Sequence, residues 1–210
     1  MEHNNQNLYP WVSMWLKPRV TIQQIVDTNP QHFVLALAAI EGFSESLNRA
    51  SMNNMGDRFD WPVIFILAAI IGPIAGIIGL YISGALIRWT GHWIGGNAPI
   101  RKIRAAVAWS SIPIIWALIL WIPELFLFGQ DQFTTETPII NESPRLAVTF
   151  LGFFTIEVLV GVWAFIVFLK CLGQVQSFSA WKALGNVVLA GLVVFVPLTV
   201  ISLSIIGISR

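Results

Sequence analysis

Three carboxylates stand inside otherwise apolar stretches of this chain: Glu41, Glu124 and Glu157. A charged group at the centre of a lipid-embedded helix costs about 3 kcal/mol on insertion scales, so such residues turn towards a neighbouring helix or a wet cavity. Two kinds of chemistry follow. An ionised carboxyl in that position binds a cation or relays a proton, whereas a neutral one hydrogen-bonds adjacent helices and serves the structure. The surrounding sequence favours the structural role, because no apolar stretch carries a run of polar residues along one face. Translocation of a small ion or solute through Glu41, Glu124 or Glu157 is the alternative.

The remaining reactive side chains are sparse. The histidines are His3, His32 and His92, and neither HExxH nor GxSxG occurs. Ser110 and Ser111 fall inside an apolar run while His92 falls outside one, so the Ser–His pair of an intramembrane hydrolase is not suggested. Cys171 is the only cysteine, which rules out an intramolecular disulfide and a CxxC metal site and leaves a small packing residue. No catalytic residue, no cofactor and no metal site is expected, and the chain is read as non-enzymatic. The most unusual local run covers residues 89–97, with Trp89, His92, Trp93, Gly95 and Gly96. It reads as a tight loop at a membrane edge, shaped by Gly95 and Gly96, in which His92 and Trp93 offer a contact surface. It has neither the length nor the lysine of a phosphate-cradling loop.

The elements that must position these residues are long and apolar. Residues 62–87, 105–128, 146–169 and 184–208 each exceed the roughly 20 residues that a helix needs to cross a bilayer. Only Glu124 and Glu157 bring charge into them. In lipid the backbone must satisfy its own hydrogen bonds, so these runs are helices. Composition agrees: 56% of the 210 residues are hydrophobic and 11% charged, against about 25% charged in soluble domains. Mean hydropathy is +0.72. A net charge of +1 offers no basic surface for nucleic acid. The chain up to Thr28 is polar, without the apolar core of a cleavable leader.

A fifth crossing is expected at residues 31–49, despite Glu41 and Glu45, because of charge bias. Lys and Arg accumulate on the cytoplasmic side of membrane proteins. With this crossing, Lys17, Arg19, Arg88, Arg101, Lys102, Arg104, Lys170 and Lys182 share one side, against Arg49, Arg58, Arg145 and Arg210 on the other. Without it, the arm changes sides and the bias vanishes. The fold class is therefore all-α: an integral membrane bundle of five transmembrane helices, residues 31–210, preceded by a short interfacial amphipathic arm, residues 1–30. The N-terminus is expected in the cytoplasm and the C-terminus outside.

Local signals refine this picture. In the arm, Trp11, Met14 and Trp15 share one helical face beside Lys17 and Arg19, and residues 20–26 read as a short amphipathic helix. Both suit the headgroup layer; folding back onto the bundle is the other option. Asn29-Pro30, Asp60-Trp61-Pro62, Ser143-Pro144 and Asn97-Ala98-Pro99 mark helix starts. Pro73, Pro113, Pro123 and Pro197 interrupt spans, and Ser110, Ser111 and Thr199 lie close enough to re-satisfy freed carbonyls. Gly72, Gly76, Gly79 and Ser83 form small-residue faces for helix packing, within the protein or against a partner.

The run Trp15-Leu16-Lys17-Pro18-Arg19-Val20-Thr21-Ile22, the Asn29-Pro30 step, the second span, the Trp/Gly-Gly run and Arg104-Ala105-Ala106-Val107-Ala108-Trp109-Ser110-Ser111-Ile112-Pro113 together resemble the Yip (Ypt-interacting protein) family of five-span membrane proteins, in its bacterial branch. The resemblance covers roughly residues 15–208. It implies a multi-pass protein of the bacterial cytoplasmic membrane that acts as a scaffold or accessory subunit. Its partners would be the lipid bilayer and other membrane proteins, among them an ABC exporter, or a further copy of itself. Eukaryotic members act in vesicle traffic and bind small GTPases of the Rab class; the arm here lacks the long extension that they carry, so the resemblance does not extend to that role. No catalytic residues come with the family.

Overall fold

The computed structural model describes residues 8–208, and every regular element among them is helical. Two short helices, α1 (Pro10–Leu16) and α2 (Pro18–Thr28), precede α3 (Val34–Met52) and α4 (Trp61–Trp93). The third apolar run is broken into α5 (Ile100–Ser110), α6 (Ile112–Ala117) and α7 (Trp121–Phe128). A short α8 (Pro138–Glu142) leads to the long α9 (Pro144–Val175) and α10 (Ala180–Ile208). Among the described residues, four helical stretches are long and apolar enough to cross a membrane: Trp61–Trp93, Ile100–Phe133, Pro144–Val175 and Ala180–Ser202. The first three outrun their apolar segments at both ends because the backbone ladder continues after the side chains turn polar. Trp89, His92 and Trp93 accordingly sit on the last turns of α4, where a loop was expected. Trp89 and Trp93, four residues apart, stack edge to face with ring centroids 5.0 Å apart.

The 19 residues of α3 span about 28 Å at 1.5 Å per residue. Glu41, Glu45 and Arg49 lower its apolarity. It starts later than Asn29-Pro30 implies, because Phe33 adopts φ 54° and ends a turn before the helix begins. The Asn29 side chain instead accepts the Gln31 N–H at 3.0 Å, inside that turn.

α3 and α4 share the most extensive helix contact in the bundle, and glycine permits their close approach. A Cβ on Gly72 would lie 2.7 Å from the Phe43 Cα, and one on Gly76 would strike the Ala38 carbonyl. Gly42 faces both glycines across the interface. Gly79 differs: nothing lies within 4 Å of the position its Cβ would take. Gly72 and Gly76 therefore pack internally, while Gly79 faces outwards and Ser83 is half-buried.

Pro73 and Pro197 sit within continuous helices; the real breaks fall in the third run, where Pro113 and Pro123 occupy first-turn positions of α6 and α7. The Ser110 and Ser111 hydroxyls donate to the carbonyls of Val107 and Ala108, each at 2.7 Å, and Thr199 donates to that of Val196 at 2.8 Å.

One face of the arm packs against the bundle. Met14, Pro18, Thr21, Ile22, Ile25 and Val26 are buried, with α2 against α5 and α9. Trp11 meets Trp109 edge to face at 5.9 Å, and Trp109 Nε1 donates to the His32 carbonyl at 3.1 Å. Cys171 is buried beneath the arm, with its sulfur 3.6 Å from that of Met14. Apolar area on this face of α1 and α2 is thus removed from solvent by protein, while Val12, Leu16 and Val20 stay exposed on the other.

Candidate functional site

The two ends of the bundle differ in charge and in construction. At the end that carries the 53–60 and 129–143 connections, α3, α6, α7 and α9 line a cavity of about 380 Å³. Glu45, Glu124 and Glu157 all line it, with Asn48 and Gln132. Trp121, Phe150, Phe153 and Phe154 supply aromatic walls. Glu124 is 1% exposed. Its Oε2 accepts from Gln132 Nε2 at 2.8 Å, while its Oε1 and the Gln132 Oε1 are buried without a hydrogen-bond partner among the described residues. Buried acceptors left in that state are uncommon and costly. Glu45 is exposed and pairs with Arg49 at 2.7 Å. Carboxylates set among aromatic faces suit a small cation, which both groups attract. Among the described residues no three His, Cys, Asp or Glu side chains are grouped closely enough to hold a metal ion.

The sequence singled out Glu41, Glu124 and Glu157. The structure brings the last two to one cavity; Glu41, half-buried on α3 one turn before Glu45, is not among its lining residues. Gln132 was missed. It lies in a polar connection, Gly129–Phe133, whose inward fold only the tertiary structure reveals. This connection is firmly tied. The Ser51 hydroxyl donates to the Gln132 carbonyl at 2.6 Å, Gln130 Nε2 donates to the Gly56 carbonyl at 2.7 Å, and Trp121 stacks on Phe133 at 5.7 Å. Asp57 accepts the Thr135 N–H at 3.0 Å and its hydroxyl at 2.7 Å. Those bonds, the hydroxyl one first, hold the Asp57 carboxyl below the usual aspartate range.

The opposite end is basic and is built on two helix stops. Gly95 adopts φ 89°, and the N–H groups of Gly95 and Gly96 reach back to the carbonyls of His92 and Gly91 at 3.1 and 2.8 Å. This is a Schellman C-cap, which needs a left-handed residue after the helix. α9 ends in the same way around Ser177, at φ 58°, with the Phe178 N–H on the Gly173 carbonyl at 2.6 Å. The two caps meet at Gln176. A Cβ on Gly91 would lie 2.6 Å from Gln176 Oε1, and one on Gly96 would overlap the same atom. Alongside, the Thr90 hydroxyl donates to Asn186 Oδ1 at 2.6 Å, and Asn186 Nδ2 donates to the Ile87 carbonyl at 3.1 Å. Gly95 takes the left-handed position of this stop, and Gly96 leaves the room that Gln176 occupies. Thr90, Gln176 and Asn186 were missed, although a lone Asn early in an apolar run is a visible signal. Trp89, His92 and Trp93 are exposed at the rim. His3 lies outside the described residues.

The chain matches the Yip1 domain over residues 12–201. No curated protein and no solved structure matches it.

Proposed function

The chain belongs to the Yip1 domain family, and from that premise we propose that it is a non-enzymatic scaffold or accessory subunit, working through helix–helix and lipid contacts. One observation carries this reading. Gly72 and Gly76 of α4 are covered by α3, while Gly79, further along the same helix, stays open, four residues after the exposed Ala75. A second helix can approach there without displacing any side chain. The reading includes five crossings, with α3 as the first. Its length and its glycine contact along α4 support this, and the accumulation of Arg and Lys at one end supports an N-terminus in the cytoplasm and a C-terminus outside. A bacterial cytoplasmic membrane and an ABC exporter or a second copy as partner belong to the same proposal.

Purification in mild detergent after crosslinking in native membranes tests it. The expected product is a specific partner or a dimer that Gly79→Leu abolishes; a strictly monomeric protein with no enriched partner removes the reading. Labelling of introduced cysteines at both termini tests the topology, and reaction of both from one compartment would defeat the five-crossing assignment.

A second reading is favoured by the shared cavity of Glu124 and Glu157: passage of a small cation. Proteoliposome flux that falls on Glu157→Gln supports it. Flux equal to that of empty vesicles eliminates it.

A further inference from the structure

Among the described residues, three arginines at the basic end have no counter-ion. Among the described residues the only ion pairs are Arg49 with Glu45 and Lys102 with Asp27. Arg88, Arg101 and Arg104 have none, although Arg104 is half-buried and its Nε is buried without a hydrogen-bond partner. Its guanidinium carbon lies 3.9 Å from the Tyr81 ring centroid. Gly84 makes room for the stem, since a Cβ there would come within 3.1 Å of the Arg104 Cγ. Tyr81 and Gly84 on α4 therefore hold the Arg104 side chain in one place.

Arg104 lines two cavities. The larger, about 820 Å³, also has Arg88, Trp89, His92 and Asn97 in its wall. The smaller, about 250 Å³, has Arg101, Gln31, Leu35 and Tyr81. A guanidinium presents five donors in a fixed fork and binds phosphate oxygens in pairs. Arginine beside tryptophan at a helix end also marks the headgroup layer. The lipid-facing surface next to the site is apolar: Ile78 and Ile82 are exposed on the same stretch of α4 as Tyr81.

We propose that the larger cavity binds the headgroup phosphate of an anionic glycerophospholipid, held by Arg88 and Arg104, with its acyl chains along the exposed isoleucines of α4. A soluble phosphate would satisfy the same donors. The lipid is the chosen occupant because the isoleucine face beside the donors gives two acyl chains an apolar track.

The test uses the full chain in mild detergent, with its thermal unfolding midpoint followed during titration with short-chain phosphatidylglycerol, short-chain phosphatidylcholine or inorganic phosphate. Phosphatidylglycerol is expected to raise the midpoint, and Arg104→Gln to increase the half-saturating concentration roughly tenfold, the scale of a lost charge-assisted contact. Arg88→Gln, at the exposed rim, gives a smaller shift in the same direction and serves if Arg104→Gln does not fold. Arg58→Gln, at the opposite end, removes one positive charge and leaves the response unchanged. An equal response to phosphatidylcholine, an equal response to inorganic phosphate, or Arg58→Gln weakening binding as much as the cavity variants would each overturn the proposal. So would Arg88→Gln and Arg104→Gln both titrating like the wild type.

Discussion

The acidic and basic ends differ in how far the protein itself partners a buried charge. Around Glu124 the protein supplies its own partner: a polar connection folds inwards, and Gln132 donates to one carboxylate oxygen at 2.8 Å. Around Arg104 the protein supplies a shape, through Tyr81 and Gly84, but no acceptor for the Nε. A buried hydrogen-bonded group is expensive to disturb, whereas a cation near the headgroup layer can find its partner in lipid. At the first end the protein partners one oxygen of Glu124 and leaves the other without a partner; at the second it leaves the Arg104 Nε without one, which is where the proposed lipid would bind.

The largest expected effect comes from the glycine crossing between the two ends. Gly76→Val drives a branched side chain into the Ala38 carbonyl and should cost about 2–3 kcal/mol. Thermal unfolding in detergent would register it as a lower midpoint, and an unchanged midpoint would mean that α3 and α4 do not cross here.

Next comes the contrast itself. Glu124→Leu strands the Gln132 amide and should cost about 1–3 kcal/mol. Arg104→Gln loses only the stack on Tyr81, within about 1 kcal/mol in lipid-free detergent. Equal losses in the same unfolding assay would erase the distinction between the ends.

A smaller gain is expected at the α9 stop. Ser177→Gly relieves a left-handed residue and should stabilise by about 0.5–1 kcal/mol; a destabilised variant would point to an unrecognised role for the hydroxyl.

The smallest effect concerns acid. Because the folded-state pKa of Asp57 is depressed by Thr135, its contribution is present above the unfolded value of about 3.9. It is lost as pH falls through the lower folded value. Asp57→Asn should therefore flatten the decline of the unfolding midpoint below about pH 4. Parallel wild-type and variant curves would show that the pair with Thr135 contributes nothing.

Much of this was legible beforehand. Apolar length alone marks the four long helical stretches, though not the breaks in the third, since open backbone does not satisfy itself in lipid. The small-residue spacing exposed Gly72 and Gly76, and the isolated carboxyls exposed Glu124 and Glu157. Hydropathy cannot tell which surface an amphipathic arm will cover, so burial of Ile22, Ile25 and Val26 against protein was not readable. Nor can spacing pair Glu124 with Gln132, eight residues on and past the glycine at which α7 stops.

The sequence by itself determined that this protein is helical, membrane-embedded and polarised in charge, because those properties follow from local composition and from the solvent. The tertiary structure decided which polar groups meet. Gln176 lies between two helix stops that are far apart in the chain, and the Arg104 guanidinium rests on a tyrosine of another helix. Such contacts depend on how rigid helices cross, and crossing geometry is set by the fit of whole surfaces, which no single segment encodes.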